Sequence, residues 1–372
     1  MRKIFISAGE TSGDNHGAPL IRELRSRFPG CEIYGIGGKS MALAGQKQQF
    51  RTGELSFMGI LEVLKHLPFI FRALRELRKF FKKLRPDLVI LIDFPDFNFR
   101  LARYASGYRI PVLYYISPQI WAWRTGRVKT IKKYVSRMAV IFPFEKKFYE
   151  KHGVDVEFTG HPLADMPPVT MGLKDFRVKY GISPADRIVA FIPGSREQEV
   201  SRIMPVLAGA ANKLDLSNVK YFIPRAPGID SDFLLKYTSG KPEYIISDED
   251  YYSLLSCADC GVVTSGTATL ECGFFSLPSA VVYKTSAFTY LAARLFVKTE
   301  FIGMVNLIAE KEVAPEFIQG DATPDSVASA ILRMLDQRQN AAIRKELVGI
   351  RQKLGGPGSA SRVADMAEDL LL

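Results

Sequence analysis

Leu88-Val89-Ile90-Leu91-Ile92-Asp93-Phe94-Pro95-Asp96-Phe97-Asn98 is the stretch that decides the fold. Its first five residues are apolar without alternation, the pattern of a parallel strand covered on both faces. The run stops at two carboxylates, Asp93 and Asp96, around Pro95. Proline fixes φ and offers no ladder donor, so the strand cannot continue through it. The two acids therefore sit past the carboxyl end of a buried strand, where open α/β sheets hold their ligands.

The same rhythm repeats on either side. Upstream, 4–6 reads as a strand, 7–14 as a loop, 16–27 as a helix closed by Pro29-Gly30, and 32–36 as a second strand. Downstream, 112–116, 138–142 and 156–158 read as strands. The apolar pattern lapses around Pro167-Pro168 and then restarts, with strands at 187–192, 219–223, 244–246, 261–264 and 279–282. With 372 residues, two domains are expected. The chain reads as α/β, two βαβ domains facing a central cleft that holds the site. The expected divisions are 1–165, 166–340, and terminal helices over 341–372 that cross back onto the first domain or swap with a partner copy in a homodimer.

Charge is concentrated. The formal net charge is +11, and residues 51–137 alone carry eighteen Lys or Arg against six Asp or Glu, which is +12. Nucleic acid, an anionic membrane surface or phosphorylated substrates each suit such a region. Within it, 57–84 alternates apolar residues at three- and four-residue spacing with Lys and Arg, a basic amphipathic pattern that Pro68 is expected to divide into two helices. There is no run of 18 apolar residues. Met1-Arg2-Lys3 leaves no room for a signal peptide before the first strand, and the four cysteines lack the spacing of a secreted scaffold. A reducing cytoplasm is the expected location.

Three apparent motifs fall away on chemistry. Gly35-Ile36-Gly37-Gly38-Lys39-Ser40 imitates a P-loop, but the required first glycine falls at Ile33. Cys257-Ala258-Asp259-Cys260 has metal-knuckle spacing without a second pair or a nearby histidine. Asp248-Glu249-Asp250 precedes a helix, where acids are expected to cap it.

Two glycine-bearing turns are harder to dismiss. Pro193-Gly194-Ser195-Arg196 and Ser265-Gly266-Thr267 each end a strand and open a helix, offering backbone N–H groups and a helix dipole to an anion. Arg196 adds a fork suited to phosphate, and Glu271 falls one turn into the second helix, placed to accept from a ribose. Two such turns in one domain point to a nucleotide diphosphate. Asp93 and Asp96 are candidate bases or helix caps, and His161 lies near the expected cleft.

Taken in order, Gly9-Glu10-Thr11-Ser12-Gly13-Asp14, Asp93–Asn98, Ser117-Pro118-Gln119-Ile120-Trp121-Ala122-Trp123, Gly160-His161-Pro162-Leu163, the two glycine turns with Leu270-Glu271, and Asn306-Leu307-Ile308 closely resemble the lipid-A-disaccharide synthase family of bacterial glycosyltransferases. The resemblance spans essentially the whole chain. It implies a GT-B fold of two Rossmann-like domains and an inverting transfer with no cofactor and no metal. The implied substrates are UDP-2,3-diacylglucosamine and 2,3-diacylglucosamine 1-phosphate, and the products a β(1→6)-linked disaccharide 1-phosphate and UDP. By the family pattern Arg196, Glu271 and Asn306 contact UDP, with Gly194, Ser195, Ser265, Gly266 and Thr267 around it. Glu10, Ser12, Asn98, Gln119 and His161 fall on the acceptor side, and Asp96 matches the general base, with Asp93 as the alternative. Acylated substrates imply work at the inner-membrane surface, with Leu74, Leu77, Phe80, Phe81, Lys82 and Lys83 as the membrane contact and no role for nucleic acid. Another UDP-sugar enzyme is the alternative activity. A non-catalytic lipid- or nucleic-acid-binding protein would account for the basic region but not for two phosphate-cradling turns.

Overall fold

In the computed structural model the stretch at 88–92 is a strand whose five residues are all completely buried. The structure describes every residue except 56–59, 124, 167–168, 170, 239–242, 287–289 and 291–298, and gives no side chains for 53, 55, 60–65 and 123. The start of the basic amphipathic stretch and the Pro167-Pro168 lapse thus lie outside the described residues. The chain divides into two compact units, Met1–Met166 with Leu354–Leu372, and Pro167–Lys353.

The first unit is built on seven parallel strands: Lys3–Ala8 (β1), Glu32–Gly37 (β2), Lys47–Arg51 (β3), Leu88–Ile92 (β4), Val112–Tyr115 (β5), Arg137–Val140 (β6) and Val156–Phe158 (β7). Their order is β3-β2-β1-β4-β5-β6-β7, so the direction of winding reverses between β1 and β4. The second unit has six, Arg187–Ile192 (β8), Val219–Pro224 (β9), Tyr244–Ser247 (β10), Cys260–Thr264 (β11), Ser279–Tyr283 (β12) and Glu316–Ile318 (β13). Their order β10-β9-β8-β11-β12-β13 reverses between β8 and β11. Ligands of open parallel sheets bind outside the carboxyl ends of strands at such reversals.

One helix runs unbroken over Ile60–Leu84, with Pro68 inside it, where two helices are expected from the sequence. A proline within a helix costs about 3 kcal/mol, but this helix packs one long face on the sheet. Ala73, Leu74, Leu77 and Phe81 are buried in the core, and Phe81 meets Phe5 edge-on at 4.7 Å. Leu74, Leu77 and Phe81 therefore cannot contact a membrane, and Phe80 is half-buried against Phe5 and Tyr34. The amphipathic pattern was correct about a buried face and wrong about what covers it. Lys82 and Lys83 remain exposed.

The chain end also differs in detail. The helix Gln337–Lys353 belongs to the second unit, where Arg344 donates to the carbonyls of Ser276 and Ala258. Of the terminal helices, Ser359–Leu371 groups with the first unit. Its Arg362 donates to Thr159 O, its Ser359 Oγ to Gly160 O, and Arg27 pairs with Asp365 and Glu368.

Candidate functional site

In the first unit the reversal point is set by a strained turn. Asp93 and Phe94 both have positive φ, 45° and 51°, directly after β4. Non-glycine residues in this region cost on the order of 1–3 kcal/mol each and persist where the surroundings over-determine them. Here Tyr114 OH and Asn98 Nδ2 both donate to Asp93 O at 2.7 Å, Asn98 Nδ2 also donates to Ile92 O, and Ser7 Oγ donates to Asn98 Oδ1. Asn98 is fully buried by these bonds, so it shapes the turn and does not reach an acceptor, a correction to its expected place. Gly9 completes the arrangement, since a Cβ there would fall 2.1 Å from the Phe94 ring.

The turn separates the two carboxylates. Asp96 stands exposed in the first turn of the helix Pro95–Gly107, ion-paired with Arg127, whose guanidinium also lies 5.6 Å over Phe99. Asp93 is half-buried, and burial first, then the neighbouring Glu10, push its carboxyl up to about 6. Glu10 takes the N-cap position of the helix Thr11–Arg27 without a side-chain capping bond, and the helix starts directly after it and so absorbs most of the expected loop. Ser12 is exposed on its first turn. Two residues on, buried Asp14 accepts from the N–H groups of Gly38, Ser40 and Met41. The P-loop-like turn thus has its anion supplied by the protein itself.

Beyond β5, Gln119 is exposed, and the loop carrying it is tied to Glu145. This buried carboxyl accepts from Ser117 Oγ at 2.6 Å, Trp121 Nε1 at 3.2 Å and the N–H groups of Ile141 and Phe142. Burial pushes it up to about 7 against those bonds. Nothing in the sequence reading singled it out, although Pro143 followed by Glu145 is a helix-start pattern. His161 is buried, accepts Leu163 N–H at Nδ1, and is driven down to about 3 by burial and by His16, whose ring lies 6.4 Å away. It is neutral at every physiological pH and holds a turn rather than exchanging protons.

In the second unit both glycine turns flank the reversal between β8 and β11. Gly194 takes φ +116°, and a Cβ there would meet Glu199. Ser195 N–H donates to Glu199 Oε2 at 3.1 Å, and Arg196 Nη1 to Glu199 Oε1 at 2.8 Å, at the start of the helix Glu197–Leu214. A carboxylate thus occupies the donors expected for phosphate. Across the reversal, Gly266 and Thr267 are exposed at the start of the helix Thr267–Phe274, and Ser265 Oγ donates to Ile302 O. Thr264 Oγ1, at the carboxyl end of β11, is buried and has no partner among the described residues. Alternation puts Thr264 on the face of Cys260 and Val262, which packs against Val200 and Ile203 of the helix opened by Arg196. No motif pointed to this hydroxyl.

Glu271 accepts from Tyr251 OH at 2.7 Å and Tyr252 OH at 3.5 Å, and burial raises its carboxyl. Asn306 is different. Nδ2 donates to Ala314 O and Glu316 Oε1 while Oδ1 accepts from Val313 and Ala314 N–H, so all its bonding capacity is used and it is fully buried. It positions the segment before β13 and has nothing left to offer UDP, which corrects the expected contact. The acids before the helix Tyr251–Cys257 form ion pairs instead of capping: Asp250 and Glu249 with Lys179, Asp248 with Arg225. Among the described residues no cluster of three or more His, Cys, Asp or Glu is arranged for a metal.

A family model described as lipid-A-disaccharide synthetase matches residues 4–368. A lipid-A-disaccharide synthase of Syntrophus aciditrophicus is 43% identical, with 99% of this chain and 97% of that protein aligned. One of Geobacter sulfurreducens is 41% identical over the same shares. Among solved structures, that of Acinetobacter baumannii MurG superposes with a TM-score of 0.64 at 14% identity, covering 99% of both chains, a likeness of fold.

Proposed function

The chain belongs to the lipid-A-disaccharide synthase family, and from that premise we propose that it condenses UDP-2,3-diacylglucosamine with 2,3-diacylglucosamine 1-phosphate. Its membership makes it a GT-B glycosyltransferase of lipid A biosynthesis. The proposed reaction inverts the anomeric carbon and gives a β(1→6)-linked disaccharide 1-phosphate and UDP.

One observation carries the reading: the sequence motifs converge on the reversal points of the two sheets. Asp96, Glu10 and Ser12 stand at the reversal of the first sheet, and Arg196, Ser265, Gly266 and Thr267 at that of the second. In the proposed step the acceptor hydroxyl forms a bond to the sugar C1 as the bond from C1 to the diphosphate oxygen breaks. Its proton passes to the carboxylate of Asp96, which is ion-paired with Arg127; such a base contributes ~10²–10⁴-fold. Charge developing on the leaving UDP is met by Arg196, the two helix N-termini and backbone donors. Glu271 receives the ribose hydroxyls in place of its tyrosine partners.

Both substrates carry acyl chains, so the protein works peripherally at the inner-membrane surface. No helix among the described residues is long and apolar enough to cross a membrane. Incubating the purified protein with both diacylated substrates should release UDP and a disaccharide 1-phosphate in equal amounts. Release of UDP without disaccharide, or turnover of the UDP sugar with no acceptor present, would overturn the assignment.

A further inference from the structure

Behind the turn Ser265-Gly266-Thr267 lies a hydroxyl whose two bonds both run to backbone, one at this turn and one at another. Thr269 is fully buried. Its Oγ1 accepts the Met304 N–H at 3.1 Å and donates to Gly266 O at 2.8 Å. The direction is fixed by chemistry: an N–H can only donate, so the single hydroxyl proton goes to the carbonyl.

Met304 is itself held in place. The segment before it is clamped from β13, where Glu316 accepts the N–H groups of Ile302 and Gly303, both at 2.9 Å, and Asn306 Nδ2 at 2.8 Å. Ser265 Oγ donates to Ile302 O at 3.1 Å, a second tie between the same two turns. Thr269 thus joins a clamped turn to the carbonyl that opens the helix Thr267–Phe274.

What this fixes is a donor. In a planar trans peptide the C=O and the following N–H point in opposite directions. Gly266 O is held toward the helix by Thr269 Oγ1 and by the Thr269 N–H at 3.1 Å, which turns the Thr267 N–H out of it. Gly266 and Thr267 are exposed, and a Cβ on Gly266 would meet nothing within 4 Å, so a ligand has room to approach this turn.

We propose that Thr269 is a positioning residue for nucleotide binding: its hydroxyl aims the Thr267 N–H at a phosphate oxygen of UDP. The inference rests on the assignment of this turn to UDP. A donor already fixed loses little further freedom when the anion arrives, so the hydroxyl adds affinity without touching the ligand.

The test is titration calorimetry of the full chain with UDP, well below the melting temperature of each variant. Thr269→Val keeps the shape and removes both bonds, and UDP should bind about three- to tenfold more weakly. Thr269→Ser keeps the hydroxyl and should bind within about twofold of the native chain. Thr267→Pro removes the N–H itself at the first helical position, where proline is tolerated, and should weaken UDP binding at least about tenfold. In that background Thr269→Val should add no further loss, because the donor it acts through is gone.

A merely structural hydroxyl would lower the melting temperature of Thr269→Val and leave UDP affinity as it was. That result, an equal loss in Thr269→Ser, or the same loss in both backgrounds would overturn the inference. Undiminished UDP binding by Thr267→Pro would instead overturn the assignment of the turn, as would a native chain that does not bind UDP. If the proline variant does not fold, the contrast between Thr269→Val and Thr269→Ser decides alone.

Discussion

The Glu145 carboxyl accepts the Ser117 hydroxyl at 2.6 Å and thereby fixes the loop of Gln119 and Trp121 to the start of the helix Pro143–Lys151. Its carboxyl is pushed up to about 7 from an ordinary value near 4.5. A carboxyl raised by folding favours the protonated form, so its contribution to stability is complete below about 4.5 and is lost as pH rises through 7. Glu145→Gln removes the titration and turns one acceptor oxygen into a donor, stranding either the Ile141 and Phe142 N–H groups or the Ser117 and Trp121 donors, a loss of roughly 1–3 kcal/mol. The melting temperature of the native protein, measured relative to this variant, should fall between pH 5 and pH 8. A pH-independent offset would show that Glu145 is not the titrating group.

Asp93 and Asp96 are separated by environment, and mutation should separate them by role. Asparagine tolerates positive φ, so Asp93→Asn should keep the strained turn and most of the turnover. Asp96→Asn should lower turnover by ~10²–10⁴-fold while UDP still binds, because only the proton acceptor is lost. UDP release followed from pH 5 to 8 checks both. Asp93, with its carboxyl near 6, would be the base if the native rate fell off on the acid side with a midpoint there and Asp93→Asn proved the more damaging change.

Much of this was legible because buried parallel strands announce themselves. β4 is apolar throughout and stops at Asp93-Phe94-Pro95, and β11 runs through Val262 and Val263 to Thr264 before Ser265-Gly266, so both strand ends could be read before the topology was known. β3 and β13 were missed: they are edge strands of five and three residues, half-buried at most, with too little apolar signal to stand out. Leu74 and Leu77 show the deeper limit. A period of 3.6 reveals that a helix face is covered, and a sheet and a membrane demand the same residues. Asn98 and Asn306 mark a second one, since a motif places a polar side chain near a site without saying which way it turns.

Asn306→Ala should act first on stability. It leaves the groups around Val313, Ala314 and Glu316 unsatisfied, at a cost of about 3 kcal/mol or more. For a unit of this size that corresponds to a fall of roughly 6–12 °C in melting temperature. Calorimetric scans with and without UDP make the comparison. An unchanged melting temperature together with a large loss of UDP affinity would restore Asn306 as a direct contact.

Glu199 gives the most specific expectation for the nucleotide side. It holds both Ser195 N–H and Arg196, the donors assigned to the departing diphosphate, so UDP must displace a carboxylate before it can bind them. Arg196 is half-exposed, and exposed ion pairs of this kind are worth up to about 1 kcal/mol. Glu199→Gln removes the competing charge and leaves the donors in place, so UDP should bind up to about fivefold more tightly by titration calorimetry. The gain should shrink as salt is raised, because added ions weaken the native pair as well. Weaker binding in Glu199→Gln would mean that the carboxylate orients Arg196 toward the nucleotide instead of competing with it.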